Sequence, residues 1–459
     1  MPVRIVVHAM LGLLLSAAPP FRLSTGLSAQ TPSGYQPTAD RLIEAALRDS
    51  AAWHKLARLT DTFGHRLSGS ASLERAIDWM LAEMRKEGFD NVRGEPVMVP
   101  RWVRGTETAD LVAPRPLKLP MLGLGGSIGT PATGITAELL VVSSFADLER
   151  QADRARGRIV LFDVPFTSYG ATVQYRGGGA VAAAKAGAVA VLVRSVGPYS
   201  LRTPHTGGMR YDSSVAKIPA AAITTEDAAM LHRMQDRGEK AVIRLHMEAR
   251  FEADVPSRNV VAELRGREHP EQVVVMGGHT DSWDVGQGAQ DDAGGVVAAW
   301  EALRLIKALG LRPRRTIRVV GWTNEENGLR GGTAYRDQHA AELDHHVLAI
   351  ESDGGIFKPL GFGFTGSEQA RVLLREVVGL LARVGADSLL ASGGGADIGP
   401  IMQRGVPGMS HVTDGDYFWY HHTDADTVDK VDPQDLARSV AMLAVMAYVV
   451  ADMPTRLPR

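Results

Sequence analysis

The sequence predicts an α/β protein in which a mostly parallel β-sheet is flanked by helices. In the second half of the chain, apolar runs of strand length alternate with helical patterns, which is typical of a parallel sheet covered on both faces. The runs are continuously apolar, as expected for strands that are buried on both faces. We predict strands at 260–264, 273–277, 316–322 and 347–352, and helices at 293–309 and 367–384.

Side chains that can bind a ligand follow three of these strands. His279 and Asp281 follow the strand at 273–277, Glu325 and Glu326 follow that at 316–322, and Asp353 follows that at 347–352. The pair Asp291 and Asp292 precedes the helix at 293–309, and His422 lies in a loop before the last helix. Because ligands bind beyond the C-terminal ends of strands in open α/β sheets, we expect these side chains to form one site.

The residue types at this predicted site favour a hydrolytic zinc centre. Imidazole and carboxylate ligands without thiolates suit zinc, and two histidines with three carboxylates hold two ions if one carboxylate bridges them. The chain has no cysteine, which excludes disulfides, thiolate metal sites and cysteine nucleophiles. Its formal charge of −2 gives no electrostatic footprint for nucleic acid or an anionic membrane.

Five ordered motifs resemble those of the co-catalytic zinc aminopeptidase and carboxypeptidase family. They are GGHTDSW at 277–283, DDAGG at 291–295, TNEENG at 323–328, ESDGG at 351–355 and HHTDADT at 421–427. Each motif alone is weak, but the ordered set at predicted strand ends is specific. The resemblance extends over roughly residues 40 to 455 and is least sharp between about 115 and 250. It implies the zinc exopeptidase fold, two Zn²⁺ per chain, short peptide substrates and a homodimer.

The resemblance also implies a ligand set of His279, Asp291, Glu326, Asp353 and His422. Asp291 would bridge the two ions, with His279 and Asp353 on one ion and Glu326 and His422 on the other. Spacing alone leaves open an exchange of roles between Asp291 and its neighbour, since either carboxylate could instead cap the helix. Taken alone, His279 would more often be a histidine that is merely hydrogen-bonded in a polar crevice.

Two further residues receive catalytic roles. The family pattern makes Glu325 the general base, which takes a proton from the attacking water and returns it to the leaving amine. Asp281 is expected to orient the imidazole of His279, because a ligating histidine usually donates its other N–H to a carboxylate. His421 stays open, since it could line the substrate site or pack.

The sequence predicts that the whole chain divides into four segments. We predict a signal peptide at 1–29, a first part of the peptidase domain at 30–114, an inserted β-rich domain at 115–250 and a second part at 251–459. The resemblance suggests that the insert is a protease-associated domain, and it carries no carboxylate-histidine cluster, so we expect a lid without chemistry of its own. The basic, then apolar, start indicates a secreted or periplasmic protein, and an uncleaved anchor is the alternative.

Several smaller features complete the expectation. The spacing of apolar residues from Leu42 to Leu59 predicts one amphipathic stretch. The apolar run at 440–451 is too short to span a membrane comfortably and predicts a buried core helix, so no stable membrane span is expected. His339, His345 and His346 precede a strand and are expected at the surface.

The sequence therefore predicts an exported di-zinc exopeptidase that hydrolyses short peptides or dipeptides. Alternatives are a broad aminopeptidase of the same family and a receptor-like paralogue without catalysis. Such a paralogue is expected to have lost ligands, whereas this chain retains all five and the base. A single-zinc cyclotransferase on this scaffold would need a reduced ligand set.

Overall fold

The computed structural model describes Met1 and residues 31–459, so the predicted signal peptide lies, apart from Met1, outside the described residues. The strands are β1 (Asp90–Val103), β2 (Glu107–Ala113), β3 (Leu117–Leu119), β4 (Met121–Gly123), β5 (Ile135–Val142), β6 (Ile159–Phe162), β7 (Ala190–Arg194), β8 (Ala220–Ile223), β9 (Val242–Met247), β10 (Arg250–Leu264), β11 (His269–His279), β12 (Arg315–Trp322), β13 (His346–Glu351), β14 (Pro359–Thr365), β15 (Ser388–Leu390) and β16 (Gly408–Thr413). The α-helices are α1 (Gln36–Arg48), α2 (Ala51–Phe63), α3 (Ala71–Lys86), α4 (Phe145–Arg150), α5 (Ala152–Ala155), α6 (Tyr169–Lys185), α7 (Thr225–Asp236), α8 (Gly294–Ala308), α9 (Arg330–Gln338), α10 (Glu368–Gly379), α11 (Gly399–Met402), α12 (Tyr417–Tyr420) and α13 (Pro433–Asp452).

The first sheet has the order β1-β10-β12-β11-β13-β16-β14-β15. Its centre is parallel, from β12 through β11 and β13 to β16. The pair β14/β15 is also parallel, whereas β1/β10, β10/β12 and β14/β16 are antiparallel. The sheet is therefore mostly parallel, as predicted, but mixed towards its edges. One reason is the path of the chain: β1 leaves for the second sheet and β10 returns beside it, which makes the two strands run in opposite directions.

The parallel centre is buried on both faces, as its apolar runs predict. Every residue of β12 and β13 is buried, and α8 and α13 pack together on one side of the sheet. The start of α8 comes very close to the end of β13, because a Cβ at Gly295 would lie 1.9 Å from the carbonyl oxygen of Ser352. The glycines that follow the Asp-Asp pair therefore allow this helix to begin beside the strand ends.

The second sheet has the order β3-β2-β9-β5-β6-β7-β8-β4 and joins the first through the long β1/β10 ribbon. It begins at Glu107, before the predicted boundary at 115, and ends at Met247. Its strands β5 to β8 are parallel, and α6 and α7 pack against them. Parallel strands require crossover connections, which here contain helices. The region is therefore α/β, whereas the sequence analysis predicted a β-rich domain.

Two helical expectations have different outcomes. The stretch from Leu42 to Leu59 is divided into α1 and α2, because Asp49 is extended and its carboxylate accepts the backbone N–H of Ala51. The last helix, α13, is long and apolar enough to cross a membrane by length and composition, but it packs inside the fold. Its prediction as a core helix is confirmed, and Asp432 caps its N-terminus by accepting the N–H of Gln434.

The expectation for the three histidines before β13 is wrong for two of them. His345 is exposed, whereas His339 and His346 are buried. His346 accepts a hydrogen bond from the Tyr335 hydroxyl at its Nε2 (2.9 Å) and donates from Nδ1 to the Glu342 carbonyl (3.1 Å). These partners hold the imidazole neutral, and burial lowers the pKa of His346 to about 4.

This buried imidazole gives a prediction for stability against pH. The folded-state pKa lies below the unfolded one, so the unfolded chain binds the proton first as the pH falls. The contribution of His346 is therefore complete above pH 6.5 and is lost between about pH 6.5 and 4. We expect this to remove about 2–3 kcal/mol of unfolding free energy between pH 7.5 and 4.5.

Urea unfolding at a series of pH values measures this loss. In His346→Gln the fall in stability over this window should be smaller by that amount, although the variant is less stable at pH 7.5. His54→Gln, at an exposed position, is the control and should keep the wild-type slope. An unchanged slope in His346→Gln would refute the assignment.

Candidate active site

His279 is the last residue of β11, and its ring is held in one orientation. Nδ1 lies 2.9 Å from the carbonyl oxygen of Asp281, which can only accept, so Nδ1 carries a proton. The other nitrogen, Nε2, faces Asp291 Oδ1 at 3.1 Å and Asp353 Oδ1 at 3.6 Å. The ring therefore presents Nε2 to two of the predicted carboxylate ligands.

Asp291 lies between two groups of side chains. Its Oδ1 faces His279, and its Oδ2 lies 3.2 Å from Nε2 of His422. The same Nε2 is 3.0 Å from Glu326 Oε2. Together with Asp353, the five residues predicted as ligands thus meet in one buried crevice, with one oxygen of Asp291 in each group.

Asp292 lies beside this crevice but has its oxygens engaged. Its Oδ2 accepts the backbone N–H of His279 (3.0 Å), and its Oδ1 accepts the N–H of Gly295 (3.1 Å) at the start of α8. A carboxylate oxygen of Asp292 also lies within 4.8 Å of ligand atoms of His279 and Asp353. Because both Asp292 oxygens hold backbone N–H groups, Asp291 is the better candidate for a ligand that uses both of its oxygens.

The two glutamates after β12 differ in their surroundings. Glu326 Oε1 accepts the backbone N–H of Trp283 (3.1 Å), and its Oε2 faces His422. The Glu325 carboxylate makes no hydrogen bond or ion pair within residues 31–459. It lines a cavity of about 930 Å³ that lies between the two sheets. A carboxylate that faces open space beside the ligand set is placed for proton transfer.

The Asp281 carboxylate does not make the expected hydrogen bond to the imidazole of His279. Its Oδ1 lies 3.9 Å from His279 Nδ1, too far for a hydrogen bond. Its Oδ1 instead accepts the backbone N–H of Glu325 (3.2 Å), and its Oδ2 accepts from the Ser68 hydroxyl (3.1 Å). The carbonyl of Asp281 orients the imidazole because the turn after β11 directs it back to the ring, while the carboxylate fixes the turn that carries Glu325.

Negative charge exceeds positive charge in this crevice. Burial, together with neighbouring carboxylates, raises the pKa of Glu325 and of Glu326 well above the usual value. Burial alone would also raise the pKa of Asp291, but its contacts with His279 and His422 hold it well below its usual value. For His279, burial acts to lower the pKa, yet the contacts with carboxylates raise it well above the usual value. Such an excess of negative charge in a dry site favours a cation.

The donor atoms fit zinc. Ligand atoms about 2.0–2.1 Å from a tetrahedral ion lie about 3.3 Å from one another, and the histidine–carboxylate distances here are 3.0–3.6 Å. Asp291 Oδ2 and Asp353 Oδ1 are buried without a hydrogen-bond partner, as expected of oxygens that would hold a metal. His421 is a further candidate, because its Nε2 lies 3.6 Å from Asp291 Oδ2 and its ring stacks on His422.

The second sheet reaches this centre through Thr206. The Thr206 carbonyl oxygen lies 3.3 Å from His422 Nδ1, and the Thr206 N–H donates to the His422 carbonyl (3.0 Å). A proton on Nδ1 directed at this carbonyl leaves Nε2 free for the carboxylate side. The inserted region thus orients a predicted metal ligand, although the sequence led us to expect a lid without a part in the chemistry.

Arg66, which the sequence analysis missed, fixes the loop that follows His279. It is fully buried and donates to the carbonyl oxygens of Thr280 (2.8 Å), Gln287 (2.6 Å) and Gly288 (3.0 Å). No pattern in the sequence distinguishes it from a surface arginine, because its partners are main-chain atoms distant in sequence.

Asp426 fixes the end of the same loop and was also missed. One oxygen accepts the N–H groups of Ala289 (3.0 Å) and Gln290 (2.7 Å), and the other accepts that of Asp291 (3.1 Å). The HHTDADT motif contained the signal, since Asp426 is its second aspartate. With Arg66 it holds the main chain that places Asp291 opposite His279.

Asp426→Asn tests this support. The amide nitrogen would face backbone N–H groups instead of accepting from them, so the position of Asp291 should loosen. We expect the fold to be retained and zinc affinity to fall by about 10–100-fold, as for other residues that orient a metal ligand. Equilibrium dialysis with elemental analysis measures the affinity, and the thermal midpoint reports the fold.

Asp424→Asn is the matched control for this change. Asp424 lies in the same loop and is exposed, and its one side-chain hydrogen bond within residues 31–459 is a long one of 3.4 Å from the N–H of Gly286. It should keep wild-type zinc affinity. Equal affinity in the Asp426 and Asp424 variants would show that the three N–H contacts do not position Asp291.

Comparison with known proteins agrees with these observations. The profile of peptidase family M28 matches residues 259–447. Carboxypeptidase Q of Xenopus laevis is 50% identical over 431 residues, which are 93% of this chain and 92% of that protein. Carboxypeptidase Q of Homo sapiens is 50% identical over 409 residues, 89% of this chain and 87% of that protein.

Solved structures agree at the level of the fold. The crystal structure of a peptidase M28 precursor from Shewanella amazonensis has a TM-score of 0.90 and 37% identity, and covers 94% of this chain and 99% of that one. A zinc aminopeptidase from Bacillus subtilis matches with a TM-score of 0.67 at 22% identity. The match covers 88% of this chain and 96% of the aminopeptidase chain, so the two proteins share the fold. The family predicted from the five motifs is thereby confirmed: the chain belongs to peptidase family M28, as a metallo-exopeptidase similar to carboxypeptidase Q over most of its length.

Proposed function

We propose that this peptidase is an exported di-zinc enzyme that releases single amino acids from dipeptides and other short peptides. The main support for this proposal is the position of the Asp291 carboxylate, whose Oδ1 faces His279 and whose Oδ2 faces His422. A carboxylate in this position suits a bridge between two ions. His279 and Asp353 would complete one ligand group, and Glu326 and His422 the other.

When bound, the two ions would activate a water molecule and polarise the scissile carbonyl. The chain supplies the remaining steps. Glu325 faces the cavity, accepts the proton of the attacking water and returns it to the leaving amine. Asp281 acts through the backbone N–H of Glu325, which it holds at 3.2 Å. The carbonyls of Asp281 and Thr206 keep the two imidazoles in the orientation that presents Nε2.

The second sheet is proposed to be a protease-associated lid, with domain boundaries near 107 and 250. The cavity of about 930 Å³ is lined by Gly126 and Arg176 on the lid side and by Trp102, Glu325 and Leu329 on the peptidase side. A cleft of this size holds a short peptide more readily than a folded chain. The proposal also includes export directed by residues 1–29, which rests on their basic and then apolar sequence, and a homodimer, which rests on the resemblance to the family.

The adjacent glutamates provide the test of this mechanism. Glu325→Gln keeps the shape of the side chain but cannot accept a proton, so it should retain two zinc ions and hydrolyse almost no dipeptide. We expect a loss of at least about 100-fold in kcat, the scale of general-base catalysis. Glu326→Gln removes a charged ligand, so zinc content should fall together with activity.

Elemental analysis of the purified variants and a dipeptide hydrolysis assay supply both readouts. Loss of zinc from Glu325→Gln with two ions kept in Glu326→Gln would reverse the two roles. Wild-type turnover by Glu325→Gln would exclude the general-base mechanism. One zinc per wild-type chain at saturating metal would exclude a bridge by Asp291.

A further inference from the structure

Phe251 is an exposed aromatic residue beside the cavity that Glu325 faces. It is 53% exposed, and among the exposed large apolar residues of the described chain it is the one that lines this cavity. An apolar ring left in water forgoes the free energy that burial would supply. A ring next to the site of hydrolysis is therefore suited to contact an apolar part of a ligand.

The β1/β10 ribbon holds Phe251 beside a buried aromatic residue. Phe251 pairs directly with Trp102 across the two antiparallel strands, so both side chains lie on the same face of the ribbon. Trp102 is 3% exposed, and its indole N–H donates to the Ser127 carbonyl (2.9 Å). Trp102 and Pro100 also line the cavity. The ribbon thus presents a fixed apolar surface to the cavity, with Phe251 as its exposed part.

The second sheet approaches the ring of Phe251 through a residue without a side chain. A Cβ at Gly126 would lie 3.8 Å from this ring. Met209, whose N–H donates to the Gly125 carbonyl (2.9 Å), is 8% exposed and lines the same cavity, as does Leu329. Gly126 thus keeps a side chain out of the space next to the ring, and apolar groups border that space.

The charges at the cavity wall limit which side chain fits there. Arg210 and Lys217 are exposed residues of this wall, and the Lys217 ammonium lies 5.4 Å from the centre of the Tyr211 ring. These positive charges repel a basic side chain. A charged side chain of either sign would also lose hydration against the apolar surface of the ribbon. The cavity therefore favours an apolar side chain.

The proposed mechanism places the released amino acid in this cavity. Glu325 returns a proton to the leaving amine, so that amine must come within hydrogen-bond reach of its carboxylate. Glu325 lines the cavity together with Phe251 and Trp102. The side chain of the released amino acid thus starts beside Glu325 and extends into a space that the ribbon borders.

We propose that Phe251, together with Trp102 and Met209, binds the side chain of the released amino acid and favours large apolar ones. This inference rests on the proposed function and adds the side-chain preference of the leaving residue. Contact with the exposed ring removes apolar surface of both partners from water, which favours a leucine or phenylalanine side chain by about 10-fold or more. Met209 is flexible, so it can adapt to apolar side chains of different shape.

The test uses dipeptides that share their N-terminal residue and release glycine, leucine, phenylalanine, glutamate or lysine. Wild-type protein should release leucine and phenylalanine with a kcat/KM at least about 10-fold above that for the other three. Phe251→Thr, which suits a strand, should lower kcat/KM for leucine and phenylalanine by about 5–20-fold, mainly through KM. It should leave glycine release within about threefold of wild type and zinc content unchanged.

Two variants accompany this measurement. Met98→Ser removes an apolar side chain of the same ribbon that is equally exposed, at 52%, and lies outside the lining of the cavity. It should keep the wild-type preference. Phe251→Leu keeps an apolar side chain and should retain part of the preference. If Phe251→Thr does not fold, a smaller preference in Phe251→Leu supports the proposal, and the wild-type preference in that variant refutes it.

The outcomes separate the two levels of inference. Equal release of glycine and phenylalanine by wild type, a preference for a charged residue, or a preference unchanged in Phe251→Thr refutes the side-chain recognition and leaves the exopeptidase function intact. A parallel loss on all substrates in Phe251→Thr, or a loss of zinc, assigns Phe251 to the shape of the ribbon and overturns the proposal. Hydrolysis of no dipeptide by zinc-loaded wild type refutes the proposed function and this inference with it.

A second series of dipeptides, varied at the N-terminal residue, tests which side of the scissile bond Phe251 contacts. Phe251→Thr should change the rates in this series by the same factor for every N-terminal residue. A selective loss on large apolar N-terminal residues would place the acyl side of the substrate against the ribbon and would overturn the proposal.

Discussion

Asp291 must present its two oxygens to two different histidines inside a buried crevice, and much of the surrounding chain serves this single placement. Charged groups fix the main chain of the loop that precedes Asp291. Arg66 holds a carbonyl oxygen at its start and others near its end, and Asp426 holds the N–H groups at its end. Hydrogen bonds to an ionised partner are stronger than those between neutral groups. The loop is therefore set before any ligand binds, and the strand ends need only bring His279 and Asp353 to it.

The same placement has an electrostatic consequence. Burial raises the pKa values of Glu325 and Glu326, and repulsion from neighbouring carboxylates raises them further, while the histidines lower that of Asp291. An apolar core could not tolerate such a group of charges unless each were paired. The fold meets this requirement with main-chain N–H groups, as at Asp292, and leaves the remaining oxygens for a cation.

Local patterns predicted the parallel centre of the sheet and the residues that meet in the crevice, because each apolar run and the polar residues after it are adjacent in sequence. Contacts between distant segments were not predictable in this way. Arg66 and Asp281 act on main-chain atoms far along the chain, and the burial of His346 depends on Tyr335 and on a β-sheet face that no periodicity specifies. The second region was predicted to be β-rich because short apolar runs separated by glycine, proline and polar turns are prominent in its sequence, whereas its helix α6, rich in glycine and alanine, gives little amphipathic pattern.

The contact between the two sheets explains why the second one can influence the chemistry while contributing none of the five predicted ligands. Thr206 and His422 exchange contacts across the boundary, and the ring of Trp283 packs where Gly125 has no side chain. Arg104, in the link from β1 to the second sheet, also pairs with Asp284, 2.9 Å away, in the loop between His279 and Asp291. A shift of the second sheet would therefore change the orientation of His422 as well as the walls of the cavity. Side chains on α6 that face the cavity without these contacts are free to vary, so substrate preference can change there while the ligand geometry is kept.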